Sequence, residues 1–140
     1  MRRAIVSVCI VVGLGALISA EPPKPPLSVS QKLAQRVQYS GLDDPRATLN
    51  DALNMLAKRY KLSFDINAAA FKSEGFPGIG RTVIADPKPI PAMKNVRLDK
   101  VLKTILARVP VPSGATLRVR GDKVEITTNA FLKKLKKKKK

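Results

Sequence analysis

Thr48-Leu49-Asn50-Asp51-Ala52-Leu53-Asn54-Met55-Leu56-Ala57-Lys58-Arg59-Tyr60, followed at once by Lys61-Leu62-Ser63-Phe64-Asp65-Ile66, is the stretch on which the fold turns. Leu49, Ala52, Leu53, Leu56 and Tyr60 recur at helical spacing and form one apolar stripe. The Thr48 hydroxyl is placed to cap the first turn, and Asp51 suits the positive end of the helix dipole. Lys58, Arg59 and Lys61 suit the negative end. From Leu62 to Ile66 the period drops to two, the alternation of a strand with one buried face.

A second unit repeats the arrangement. Leu98, Val101, Leu102, Ile105 and Val109 carry the same helical spacing, with Asp99 in the first turn. After Pro110, Pro112 and Gly114 come two alternating runs, Thr116 to Arg120 and Lys123 to Thr127, joined by Gly121-Asp122 as a two-residue hairpin turn. Leu117, Val119, Val124 and Ile126 share one face of that hairpin; Arg118, Arg120, Lys123 and Glu125 share the other. Short strands are also expected over 37–42, 81–85 and 90–96, the last confined to an edge or a strand start by Pro91. A serine at 28 or 30 would cap a short helix through Leu33 and Val37. Two helices with one greasy side each need a common surface. The expected fold is therefore α+β, a small mixed β-sheet with two amphipathic helices packed on one face in a split β-α-β order.

Outside this unit the chain changes character. Arg2 and Arg3 precede an apolar run from Ala4 to Leu17, which ends in Ile18-Ser19-Ala20. That is the layout of a secretory signal peptide, expected to be cleaved after Ala20; retention as an uncleaved anchor is the alternative. The expected location is outside the cytoplasm, periplasmic or associated with the bacterial cell envelope. The organisation reads as signal 1–20, proline-rich spacer 21–30, α+β domain 31–129 and lysine-rich tail 130–140. Cys9, the only cysteine, falls inside the signal, and the chain has no histidine or tryptophan. A disulfide framework, a cysteine–histidine zinc site and a histidine-based catalytic scheme are thereby excluded from the secreted form.

The two units resemble the secretin and TonB short N-terminal domain. That module typically carries a leucine, two polar residues, then alanine-leucine and leucine-alanine pairs, and next a strand bearing an aspartate. Leu49 to Ala57 and Leu62 to Ile66 are similar to it here. Val96 to Leu106 resembles its second helix and Val119 to Thr128 its closing hairpin. The resemblance spans roughly 37–128, most of the secreted chain. It implies a β-α-β-β-α-β type module used for protein contacts in the bacterial envelope.

The candidate chemistry is sparse. Asp43 and Asp44 before Pro45 read as turn residues, and Asp65 as a cap or a water-facing carboxylate. Gly78-Ile79-Gly80 lacks the strand-to-helix setting of a phosphate loop. No catalytic residue, metal or cofactor is expected, and no small-molecule substrate. Arg118, Arg120 and Lys123 would form a basic strip with Lys94 or Arg97, against the plainer reading of a solvated face. Few aromatic residues accompany them, which argues against nucleic acid. The net charge is +17, and seven of its lysines lie in the tail. Phe131, Lys133, Lys134, Leu135, Lys136, Lys137, Lys138, Lys139 and Lys140 combine apolar anchors with dense positive charge, against the plainer reading of a disordered solubilising tail. The expected function is a non-enzymatic, exported protein-interaction module whose partner is another envelope protein. The alternative is an electrostatic binder of an anionic membrane surface, wall polymer or other polyanion through the tail.

Overall fold

The computed structural model of the chain describes residues 21 to 139, so the expected signal segment and Lys140 lie outside the described residues. An extended, exposed lead runs to Ser28, which caps α1 (Val29–Ala34) in a reciprocal pair with Gln31. Next come β1 (Arg36–Tyr39) and α2 (Leu49–Tyr60). Thr48 caps α2 as its position predicts: its hydroxyl accepts from Asp51 N, and the Asp51 carboxylate accepts from Thr48 N at 2.9 Å. Lys61 ends the helix in the left-handed conformation, and β2 (Ser63–Ile66) follows. Asn67 caps the short α3 (Ala68–Lys72), and a 3-10 turn covers Ile79–Arg81. The second unit is β3 (Met93–Arg97), α4 (Leu98–Leu106), β4 (Ala115–Arg120) and β5 (Lys123–Thr128). It runs on into α5 (Asn129–Lys138).

The fold is a small α+β arrangement, and its strand–helix order is the one the two periodicities predict. The strands divide between two sheets. β1 and β3 pair antiparallel; β2, β5 and β4 form a mixed sheet with β5 in the centre, parallel to β2 and antiparallel to β4. The reason lies in α4. Leu98, Val101, Leu102, Ile105 and Leu106 are all buried, a stripe too wide for one sheet to cover. The helix therefore touches β1 and β3 as well as β4. Leu53 and Leu102, from the two amphipathic helices, belong to one continuous core with Val37, Tyr39, Val124 and Ile126 from both sheets. The strand expected over 81–85 is instead the end of the 3-10 turn and a single bridge, Thr48 to Val83. Gly78, at φ +74°, turns the chain there.

Gly41 is a point of close backbone approach. Its φ is +87°, and a Cβ there would lie 2.8 Å from the Ile90 carbonyl oxygen and 3.0 Å from Ala92 N. Those atoms belong to the segment bridged to Leu42. Left-handed backbone costs an L-residue about 1–2 kcal/mol, and the clash adds to it. Gly41→Ala is expected to lower stability by about 2 kcal/mol or more in urea denaturation. Gly75, at φ +90° with open space beside it, is the control: its alanine variant loses only the backbone part, about 1 kcal/mol.

Candidate functional site

The polar face expected on the β4–β5 hairpin is not open. Glu125 and Thr127 on β5 are buried, because α5 lies over that side of the sheet. Arg118, directly across from Glu125, donates its Nε–H to the Glu125 carboxylate. Asn67 Nδ2 donates to the same carboxylate at 2.9 Å, and Arg120 approaches it to 4.0 Å. The Arg118 guanidinium lies 5.9 Å from the centre of the Phe131 ring. Arg118 is thus neutralised and spent on docking α5. Arg120 and Lys123 remain exposed at the hairpin tip, as cross-strand partners of like charge. Lys94 and Arg97 lie on β3 in the other sheet, so the expected basic strip is not continuous with them.

Burial opposes the charged form of Glu125, but the Arg118 hydrogen bond and charge outweigh it, with help from Asn67 and Arg120. Its carboxyl is held below the usual glutamate range. The Glu74 carboxyl is also low: the Thr128 hydroxyl holds it down most, burial opposes this, and the hydroxyl and N–H of Ser113 and the nearby charge of Lys134 add to the lowering. Thr48 does the same for Asp51. A carboxyl lower in the folded than in the unfolded state contributes stability that is complete above the unfolded value and lost as pH falls through the folded one. The urea midpoint is therefore expected to stay flat from about pH 8 to about pH 5 and to fall below about pH 4.3. Glu125→Gln is expected to be less stable at neutral pH, since Arg118 loses its counter-charge, and to show a shallower acid decline.

The tail is ordered as a helix in the described residues. Thr128 is at once the last residue of β5 and the N-cap of α5, its hydroxyl accepting from Phe131 N. The first turn is pinned to the loop before β4. Asn129 N donates to the Gly114 carbonyl, Asn129 Nδ2 to the Ser113 carbonyl and Ala130 N to the Ser113 hydroxyl. That hydroxyl in turn donates to Glu74 at 2.8 Å. The lysine helix is therefore held in a fixed direction relative to the body.

Lys133, Lys134, Lys136, Lys137, Lys138 and Lys139 are all exposed, and none forms an ion pair among the described residues. Lys133 and Lys137, and likewise Lys134 and Lys138, stand one turn apart, where like charges repel by about 0.2–0.5 kcal/mol per pair. Phe131, Leu132 and Leu135 take the remaining side, half-buried and outside the main core. Leu132, Leu135, Lys136 and Lys139 wall an open groove of about 280 Å³ against Arg118. Phe131 and Leu135, read from the sequence as membrane anchors, are thus turned in part toward the protein itself. Lys140 lies outside the described residues.

The remaining candidates are accounted for locally. Asp43, Asp44 and Asp65 are exposed, and Asp44 accepts from Arg46 N in a turn. Ile79 and Gly80 are buried, and the Asn50 side chain closes over Gly80, leaving no cradle for a phosphate. Among the described residues no three acidic, cysteine or histidine side chains converge, and no helix is long and apolar enough to cross a membrane. Three residues escaped the reading of the sequence: Arg36, Lys100 and Lys103, which stand with Arg97 around an open cleft. The spacing of three from Arg97 to Lys103 was the visible part of its signal. Compared with protein-family models, curated proteins and solved structures, the chain has no match.

Proposed function

We propose that the protein is a non-enzymatic, exported interaction module of the bacterial cell envelope that attaches through α5 to an anionic phospholipid surface. The observation that carries this reading is the set of six exposed, unpaired lysines held on a helix that is fixed to the body at its first turn. Their mutual repulsion is a standing cost of the isolated protein, and a dense layer of negative charge relieves it. With Phe131, Leu132 and Leu135 half-covered by the body, attachment is electrostatic and not by insertion. The test is co-sedimentation with vesicles of phosphatidylglycerol and, as control, phosphatidylcholine. The full chain is expected to bind only the anionic vesicles, and deletion of 131–140 to abolish binding. Equal binding of the two lipids, or binding that survives the deletion, would sink the reading.

A second role, contact with another envelope protein, is supported by the outer edges of β2 and β4. Each has one side without a strand partner and so offers backbone groups for strand addition. The resemblance to the secretin and TonB N-terminal module points the same way. Capture of one envelope protein by the form lacking 131–140 would support this contact, and a chain that captures none in either form would exclude it.

A further inference from the structure

An open cleft of about 410 Å³ lies where β1 and β3 meet α4, walled by Arg36, Asn95, Arg97, Asp99, Lys100 and Lys103 among others. We propose that it is a binding site for a compact phosphate-bearing anion of two or three negative charges, of the size of pyrophosphate. The site is independent of the α5 reading.

Four cations and one carboxylate line the cleft, a local excess of three positive charges. The strand register places Arg36 and Arg97 directly opposite each other. Like charges across a ladder destabilise the pairing, so the isolated fold gains nothing from this choice. Arg36 Nη1 donates to the Asn95 carbonyl oxygen at 3.0 Å, which holds its guanidinium over β3. Asp99 is shared: Arg97 Nε lies 3.1 Å from one oxygen and Lys103 Nζ 3.8 Å from the other. Arg36 and Lys100 have no carboxylate partner among the described residues. Here the charges converge on a concavity. Guanidinium groups meet the oxygens of phosphate two at a time, with a geometry that ammonium groups lack. A single carboxylate would leave most of the excess charge unanswered, whereas a phosphate dianion or trianion neutralises it. The assignment is to binding, through the two guanidinium and two ammonium groups that line the cleft.

The experiment is a ¹H–¹⁵N NMR titration of the full chain with sodium pyrophosphate at constant ionic strength, beside acetate. Saturable shifts are expected over 95–100 with pyrophosphate and not with acetate. Arg97→Gln and Lys100→Gln are each expected to weaken binding at least tenfold while leaving vesicle binding by α5 intact. Replacing Lys133, Lys134 and Lys136 by Gln is expected to do the reverse. If Arg97→Gln disturbs the fold, the exposed Lys100 variant carries the test alone. Shifts that never saturate, or that move with the α5 replacements and not with Lys100→Gln, overturn the proposal. In the variant with Lys133, Lys134 and Lys136 replaced by Gln, displacement of pyrophosphate by phosphatidic acid vesicles would place the same site on a lipid phosphomonoester, and indifference to them would keep it for a soluble phosphate.

Discussion

Leu102→Ala is expected to destabilise the protein by about 3–5 kcal/mol, the upper part of the range for large-to-small core changes. Leu102 is fully buried on α4, the helix that touches strands of both sheets. The cavity left by its side chain would open at the junction of the two layers. Neither sheet can close onto it without dragging the helix off the other. Cores that cannot collapse lose the full transfer and cavity contributions. Small domains are stable by only about 5–15 kcal/mol, so the variant would keep little margin. Urea denaturation reads the loss, with the thermal midpoint expected to fall by about 12 °C or more. Leu102→Met keeps the volume and is expected to cost less than about 1.5 kcal/mol. A Leu102→Ala protein as stable as the parent would mean that α4 is not the shared rib of both sheets.

The other large effect concerns α5. Replacing its six described lysines by glutamine is expected to weaken binding to phosphatidylglycerol vesicles by about a thousandfold. Each lysine near an anionic surface contributes at most about 1 kcal/mol, so six set a ceiling of about four powers of ten. The realised loss is smaller because Lys133 and Lys137 stand opposite the side turned to the body, whereas Lys136 and Lys139 wall the groove against Arg118, so the six do not all meet one plane at once. Raising salt from about 0.05 M to about 0.3 M is expected to reproduce most of the loss, as screening shortens the reach of each charge. Phe131→Ala is expected to change vesicle binding far less than the lysine replacements, since its ring meets Arg118. Salt-insensitive binding lost in Phe131→Ala would point to insertion of the apolar side.

What was legible in the chain was what is local. The cap at Thr48, the stripe around Leu53, the turn at Gly121 and the stripe around Leu102 as far as Ile105 each depend on residues within a few positions and formed as read, whereas Val109 is buried past the end of its helix. Partners across long separations were not legible. Alternation says which residues share a face but not which strand lies alongside. The pairing of β1 with β3, and with it the facing of Arg36 and Arg97, therefore had no counterpart in the reading. The same gap explains Glu125. Its place on the polar side was correct, but its burial depends on α5 folding back over that side. The helix itself was hidden by composition. So many adjacent lysines read as a solvated tail, although Thr128 as a cap and Phe131, Leu132 and Leu135 at helical spacing were already in view.

The handover from β5 to α5 without a connecting loop has a mechanical side. Any tension on the cationic arm enters the one strand among the described residues that is flanked by neighbours on both edges, four residue pairs with β2 and six with β4. Shear across two ladders at once resists far better than peeling a strand from a rim. A module tethered by this arm would bear load through its middle, and it would keep one fixed orientation on whatever holds it.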